Sequence, residues 1–394
     1  MNNTLHLFNP DHDLALANGD ENFISPKSAR AFTADLSCLP IWYAEPEGVV
    51  LAEMLEQQWF DEMQGLFPQL GSLSIESQPD FSKLNQVHPW GWDAAVRKGL
   101  QALGASDMLL PDAWQLGQIR RLSHRSMAVE AMKFLHKEEA LSALMPPPAQ
   151  LLSAGEVEAF ASQHAGVVFK APWSGSGKGL SWARGKVSKS LLGWCRKVAE
   201  KQGCVVGEEA YDKVQDFAME FHCSGKKVSF AGYSLFTADN GVYKCNELMS
   251  NEAISGFLTH QWIPEQQLLM VQKRLLAFID TQIAPFYNGF LGVDMFVFED
   301  GGGFRFHPCV EINLRMTMGC VARIFYDRFV SPQKTGRFYI DYFPAKGALL
   351  SDHLQRQSSF PLRVNNGLIT QGYLSLVPVG AESHYRARVE IIDN

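Results

Sequence analysis

The stretch from Phe290 to Arg315, FLGVDMFVFEDGGGFRFHPCVEINLR, constrains the fold more than any other part of the chain. Two runs dense in Val, Ile, Phe and Met flank Asp300-Gly301-Gly302-Gly303, and that composition predicts a β-hairpin. A loop over Gly301 to Phe304 sets Asp300 opposite Arg305 and Asp294 opposite Glu311. Side chains alternate along a strand, so Asp294, Glu311, Asn313 and Arg315 then share one face. Carboxylates placed opposite one another are unfavourable. They repel by roughly 4 kcal/mol at about 4 Å and an effective dielectric near 20. A divalent cation between them reverses the sign. Oxygen donors with an adjacent amide suit magnesium, which takes one or two carboxylates plus substrate phosphates. The hairpin alone is equally consistent with a solvent-facing pair carrying ordinary surface charge. Its three glycines leave the register open, and Pro308 suits only an edge or an irregularity in a strand.

With 394 residues the chain has room for two or three domains. Hydrophobic residues at 46% and charged residues at 20% describe a soluble globular protein. A formal charge of −7 argues against a large nucleic-acid footprint and supplies no basic tract for an anionic membrane. The seven cysteines are scattered and contain no CxxC, as expected of thiols in a reducing compartment. They indicate neither a zinc site nor a disulfide framework. No signal pattern or membrane-spanning run is present, so a cytoplasmic protein is expected.

Leu5 to Phe8 reads as a first strand, followed by the loop Asn9-Pro10-Asp11-His12-Asp13 and an alanine-rich helical segment. Polar loops at the carboxyl end of a first strand commonly carry ligand contacts in open α/β sheets, which marks His12 and Asp13 as substrate candidates. The simpler alternative is an N-cap aspartate beside a surface histidine. A second loop, His88-Pro89-Trp90-Gly91-Trp92-Asp93, precedes a helix capped by Asp93. Its indoles serve either packing or recognition, and Trp90 joins the substrate candidates.

Ser123–His136 has helical periodicity, and Ser153 with Glu156 forms a capping box for a helix through about Gln163. Gly166 to Lys170 is a buried strand ending on lysine, and Ala171-Pro172-Trp173-Ser174-Gly175-Ser176-Gly177-Lys178-Gly179 follows it directly. Small residues let successive backbone N–H groups turn toward one anion, while Lys170 and Lys178 add positive charge. Pro172 and Gly179 exclude a Walker A loop, and Leu180 excludes the dinucleotide fingerprint. A phosphate-cradling loop is the expectation.

A helix over Ser188–Lys201 leads to the acidic segment Glu208-Glu209-Ala210-Tyr211. Strands over Asp216–Cys223, Val228–Phe236 and Val242–Leu248 then form a meander. Pro264 opens a long helix burying Leu268, Val271, Leu275 and Ile279. Beyond the hairpin, Met318–Phe329 is helical. The tail alternates strands (from about Arg337, then Tyr373–Val379 and Arg386–Ile392) with a short helix near Leu349–Gln355.

The succession of lysine-ended strand, glycine loop, acidic hinge, antiparallel meander and Asp…Glu-Ile-Asn-Leu-Arg hairpin resembles the ATP-grasp superfamily, over roughly Ser123 to Phe325. The resemblance implies a combined α/β and α+β fold. A Rossmann-like pre-ATP-grasp domain (residues 1–115) precedes lobes at 116–208 and 209–330, with a β-rich C-terminal extension (331–394) packed on the core. It implies ATP between the lobes, with Lys170 on the α- and β-phosphates and the mobile loop Ser174, Gly175, Ser176, Gly177, Lys178 and Gly179 over the β- and γ-phosphates. Glu208 and the backbone of Glu209 to Tyr211 match the adenine hinge, and Asp216 the ribose acid. Asp294, Glu311 and Asn313 match the ligands of magnesium (or manganese). Arg315 matches the basic residue that steadies charge on the transferring phosphoryl group or acyl phosphate. The earlier phosphate cation is Arg125 or Lys133, with Arg125 favoured by its place at the helix start. Leu314 departs from the common proline of the motif. The implied activity is an ADP-forming ligase joining a small-molecule carboxylic acid to an amine or thiol through an acyl phosphate. A small-molecule phosphotransferase and a non-catalytic ATP-binding sensor are the alternatives.

Overall fold

Three sheets follow one another along the chain, and the computed structural model describes residues 3–53, 57–175, 179–239 and 242–392. The first is parallel: β1 (Thr4–Leu7), β2 (Val49–Leu51), β3 (Ser74–Glu76) and β4 (Gln86–Pro89), in the order β3-β2-β1-β4. Leu5, Leu7, Val49 and Val87 bury one face against Leu100 of helix Ala94–Ala102. Phe8, Val50 and Trp90 bury the other, as parallel sheets require on both sides. Asp93 caps the helix as expected, accepting from the Val96 N–H at 2.9 Å.

The second sheet is antiparallel, with β5 (Gln150–Leu152), β6 (Gly166–Lys170), β7 (Leu180–Arg184) and β8 (Val205–Glu209) in the order β5-β8-β6-β7. Val167 and Phe169 bury one face against Phe160 and Leu191. Glu156 does take the Ser153 N–H and hydroxyl, each at 2.7 Å, yet the helix begins only at Val157.

The third sheet has nine strands: β9 (Lys213–Ser224), β10 (Lys227–Asp239), β11 (Val242–Leu248), β12 (Gly289–Asp300), β13 (Gly303–Asn313), β14 (Thr335–Tyr342), β15 (Arg363–Asn365), β16 (Leu368–Ser375) and β17 (Tyr385–Ile392). Their order is β13-β12-β9-β10-β11-β14-β17-β16-β15. Phe217, Met219 and Phe221 of β9, with Val293 and Met295 of β12, share one core with Leu268, Val271, Leu275 and Ile279 of helix Glu265–Gln282. Period-two alternation therefore turns Asp216, Ala218, Glu220 and Asp294 to the opposite face. The tail strands continue this sheet through the β11–β14 pairing. They also reach the first unit, where the Trp42 indole N–H donates to the Leu376 carbonyl at 2.6 Å. Helix Asn251–Gln261, capped by Ser250, was not anticipated from the sequence. The strand expected to run to Val379 ends at Ser375, ahead of Pro378. No helix among the described residues is long and apolar enough to cross a membrane.

The hairpin reaches the expected site pairing by a different route. Its turn is Gly301-Gly302, both at positive φ (61° and 92°), so Asp300 pairs with Gly303 and Phe298 with Arg305. The register then shifts around Pro308, between Phe296↔His307 and Asp294↔Glu311. Pro308 has no N–H to give the ladder, and the two extra residues of β13 bulge there. Asp300 and Arg305 still form an ion pair at 2.6 Å.

Candidate functional site

Asp294 and Glu311 stand opposite one another at the base of the hairpin. The Asn313 amide donates to Asp294 at 3.0 Å. Burial first, then Glu311 and Glu220, raise the Asp294 carboxyl to about 7, against the Asn313 hydrogen bond and Arg315, which lower it. Glu220 stands opposite Gly292 on β9 and is almost fully buried. It accepts from the hydroxyls of Ser234 (2.9 Å) and Thr317 (3.1 Å) and from the Cys320 thiol (3.1 Å). Burial also pushes its carboxyl up.

Three cations converge on this acidic face, each parked on a carboxylate. Arg125, buried at the start of helix Ser126–Leu135, contacts Glu311 at 2.9 Å, the Ala171 carbonyl at 3.0 Å and the Ser174 hydroxyl at 3.2 Å. It thereby ties helix, glycine loop and acid pair together. Lys133, the other candidate, lies on the surface beside Glu130 with its side chain 57% exposed. Arg315 donates from Nε to both Asp13 oxygens at 3.1 Å and from a terminal nitrogen to the Asn313 side-chain oxygen at 3.0 Å. Burial pushes the Asp13 carboxyl up, but Arg315 and His12 outweigh it and hold the carboxyl below its ordinary value. The third cation, Lys170, donates to Glu208.

Glu208 is buried and also hydrogen-bonded to His307. Burial pushes its carboxyl up, while Lys170 and His307 overcome that and keep it ionised. Burial likewise pulls the Lys170 ammonium below its ordinary value, opposed by Glu208. The hinge continues through Glu209 at the end of β8 to Tyr211, whose ring packs on Phe298 at 4.5 Å between centroids. Asp216 lies on the cleft face of β9 opposite Phe296 and pairs with Lys213 at 2.9 Å.

The glycine loop closes on the first unit. A Cβ at Gly175 would fall 1.9 Å from an Asp13 oxygen, and one at Gly179 (φ +77°) would fall 2.7 Å from the Ser174 Cβ. The Ala171 N–H donates to the Gly179 carbonyl at 2.8 Å. Ser176, Gly177 and Lys178 lie outside the described residues.

No family model and no curated sequence matches the chain. Solved structures do resemble it. N5-carboxyaminoimidazole synthetase from Staphylococcus aureus, complexed with ADP, is 11% identical with a TM-score of 0.52, covering 100% of this chain and 95% of that one. An ADP complex of N5-carboxyaminoimidazole ribonucleotide synthetase is 14% identical with a TM-score of 0.50, covering 100% and 92%. Biotin carboxylase from Campylobacter jejuni is 10% identical with a TM-score of 0.50, covering 99% and 87%. The chain has the ATP-grasp fold.

Within this ATP-grasp fold the structure places Asp13, Ser174, Glu311 and Asn313 around one pocket and Arg125, Lys170 and Glu208 around a second, joined by the Arg125–Glu311 pair, with Asp294 and Arg315 bonded to Asn313 on the same acidic face. It separates two of the substrate candidates from it. The Trp90 indole is buried against Phe8 at 4.9 Å in an edge-on contact, so it is a core residue. Here the correction follows from apolar area: an indole beside a strand gains more from the core than from solvent. His12 is neither a surface residue nor a cleft residue, being buried against Asp93 at 3.3 Å and under Gly91. Glu220 and His307 were missed in the sequence, although each shares strand parity with a residue that was singled out: Glu220 with Asp216, and His307 with Glu311.

Proposed function

We propose that the chain is an ATP-dependent ligase that joins a small-molecule carboxylic acid to an amine or thiol, releasing ADP and phosphate. The observation that carries this reading is the Asp294–Glu311 pair, in which burial first and then the charge of Glu311 push the Asp294 carboxyl up. Two carboxylates and an amide oxygen are hard donors suited to magnesium or manganese. On this reading Asp294, Glu311 and Asn313 hold the nucleotide's metal ion, which when bound neutralises charge on the transferring phosphoryl group.

The remaining roles belong to the chain. Lys170 and Arg125 orient phosphates, and the glycine-rich loop that follows Lys170 covers them. Glu208, Glu209 and Tyr211 frame the base, and Asp216 receives the ribose hydroxyls. Arg315, drawn between Asp13 and Asn313, faces the phosphoryl group as the acid attacks it to give an acyl phosphate, from which the amine then displaces phosphate. Residues 1–115 supply part of the acceptor side through Asp13, and 116–208 and 209–330 act as the two lobes. The bound ADP in two of the similar structures supports a nucleotide in this cleft.

The test is ADP release with magnesium over a pool of carboxylic acids and amines, with products identified by mass. An amide plus inorganic phosphate is expected. A released phosphoester would make the protein a phosphotransferase, and tight ATP binding without turnover would make it a sensor.

A further inference from the structure

We propose that His6, Glu45 and His88 form a binding site for a transition-metal ion of the zinc class, separate from the nucleotide cleft. The proposal stands independently of the ligase reading. His6 on β1 and His88 on β4 are direct partners in adjacent parallel strands, so both rings rise from the same face of the sheet. Their centroids are 5.6 Å apart in an edge-on contact. Glu45 arrives from the turn before β2 and places Oε2 2.6 Å from His6 Nε2. One donor atom from each of the three residues lies within 4.8 Å of the others.

The donor set decides the class of ion. Two imidazoles and one carboxylate are the ligands of open zinc sites and of non-haem iron, whereas magnesium and calcium prefer all-oxygen surroundings. A tetrahedron with bonds of about 2.0 Å holds its donors roughly 3.3 Å apart. Glu45, whose side chain is 53% exposed at the end of its turn, is the ligand placed to adjust toward that spacing. That exposure also gives an ion a path in from solvent and leaves a fourth position for water.

The plain alternative is a histidine–glutamate hydrogen bond with a second histidine packed beside it. It accounts for His6 and Glu45 but leaves the His88 ring without a hydrogen-bond partner among the described residues. An ion here would staple β1, β4 and the entry to β2 together. Cysteine spacing gave no hint of such a site, because its ligands come from three separated segments.

The experiment is a calorimetric titration of the full chain, stripped of metal, with Zn²⁺ in the presence of excess magnesium to occupy the nucleotide cleft. One zinc per chain is expected, together with a rise in thermal midpoint. His88→Asn and Glu45→Gln, at the partly exposed members, should each weaken zinc at least about tenfold and abolish that rise. Co²⁺ absorption in the wild type should show a four- or five-coordinate spectrum that both variants lose. Absence of zinc binding, or zinc affinity unchanged in both folded variants, would overturn the proposal.

Discussion

Asp294 folds with its carboxyl raised to about 7 from an ordinary 3.8, by burial first and then by Glu311 and Glu220. A raised carboxyl means that the unfolded chain gives up this proton at lower pH than the folded one. Its contribution to stability is therefore complete below about pH 4 and lost as pH climbs through about 7. At about 1.4 kcal/mol per unit, the effect amounts to a few kcal/mol. Urea denaturation of the metal-free protein should show wild type losing stability relative to Asp294→Asn between about pH 4 and pH 8. A difference between the two that does not vary with pH would contradict this origin. The residues least legible in the sequence share one cause. Glu220 and His307 act through partners far along the chain, and nothing local distinguishes a buried carboxylate in a nest of hydroxyls from an ordinary strand residue. Trp90 shows the converse, a conspicuous local motif whose side chain simply packs.

At the scale of elements, the hairpin illustrates how far periodicity carries. Asp294 and Glu311 were expected to pair, and they do. The route differs, since a four-residue loop was expected and a two-residue turn forms, with the bulge at Pro308 restoring the offset. Both versions preserve parity, so the acidic face survived the miscount. Pro308 was visible as an irregularity, but its size was not, because bulge geometry depends on the neighbouring strand. The helix Met318–Phe329 offers a test of how tightly that face is built. A Cβ on Gly319 would sit 2.1 Å from Glu220 Oε1 and 2.5 Å from Ser234 Oγ. Helix propensity favours alanine there by about 1 kcal/mol, whereas overpacking costs about 1–3 kcal/mol. Gly319→Ala should therefore destabilise by up to about 2 kcal/mol in urea titration. A stabilised variant would show that Glu220 moves aside freely.

Across the whole molecule, the parallel sheet and the nine-stranded sheet are joined at two seams. One is the Asp13–Arg315 pair in the cleft. The other is the aromatic cluster around Trp42, which meets Phe67, Phe325 and Phe329 edge-on and bonds the tail through Leu376. Alternating strands and helices made the order of units readable from the sequence. That the tail would join the third sheet through β14 and β11 was not, since strand pairing over such a separation leaves no local trace. Trp42→Ala should cost about 3–5 kcal/mol. Unfolding followed by tryptophan fluorescence and by circular dichroism should lose that stability together, in coincident transitions. A variant whose first unit melts separately while the rest stays folded would show the seam to be weaker than its packing implies.

The clasping of a nucleotide's metal ion by Asp294 and Glu311 is tested most directly by Mn²⁺ binding in the presence of ADP, read by electron paramagnetic resonance. Wild type should hold one Mn²⁺ per chain, and Asp294→Asn and Glu311→Gln should each weaken it at least about tenfold while remaining folded. Unchanged Mn²⁺ affinity in both variants would place the metal, and with it the chemistry, somewhere else.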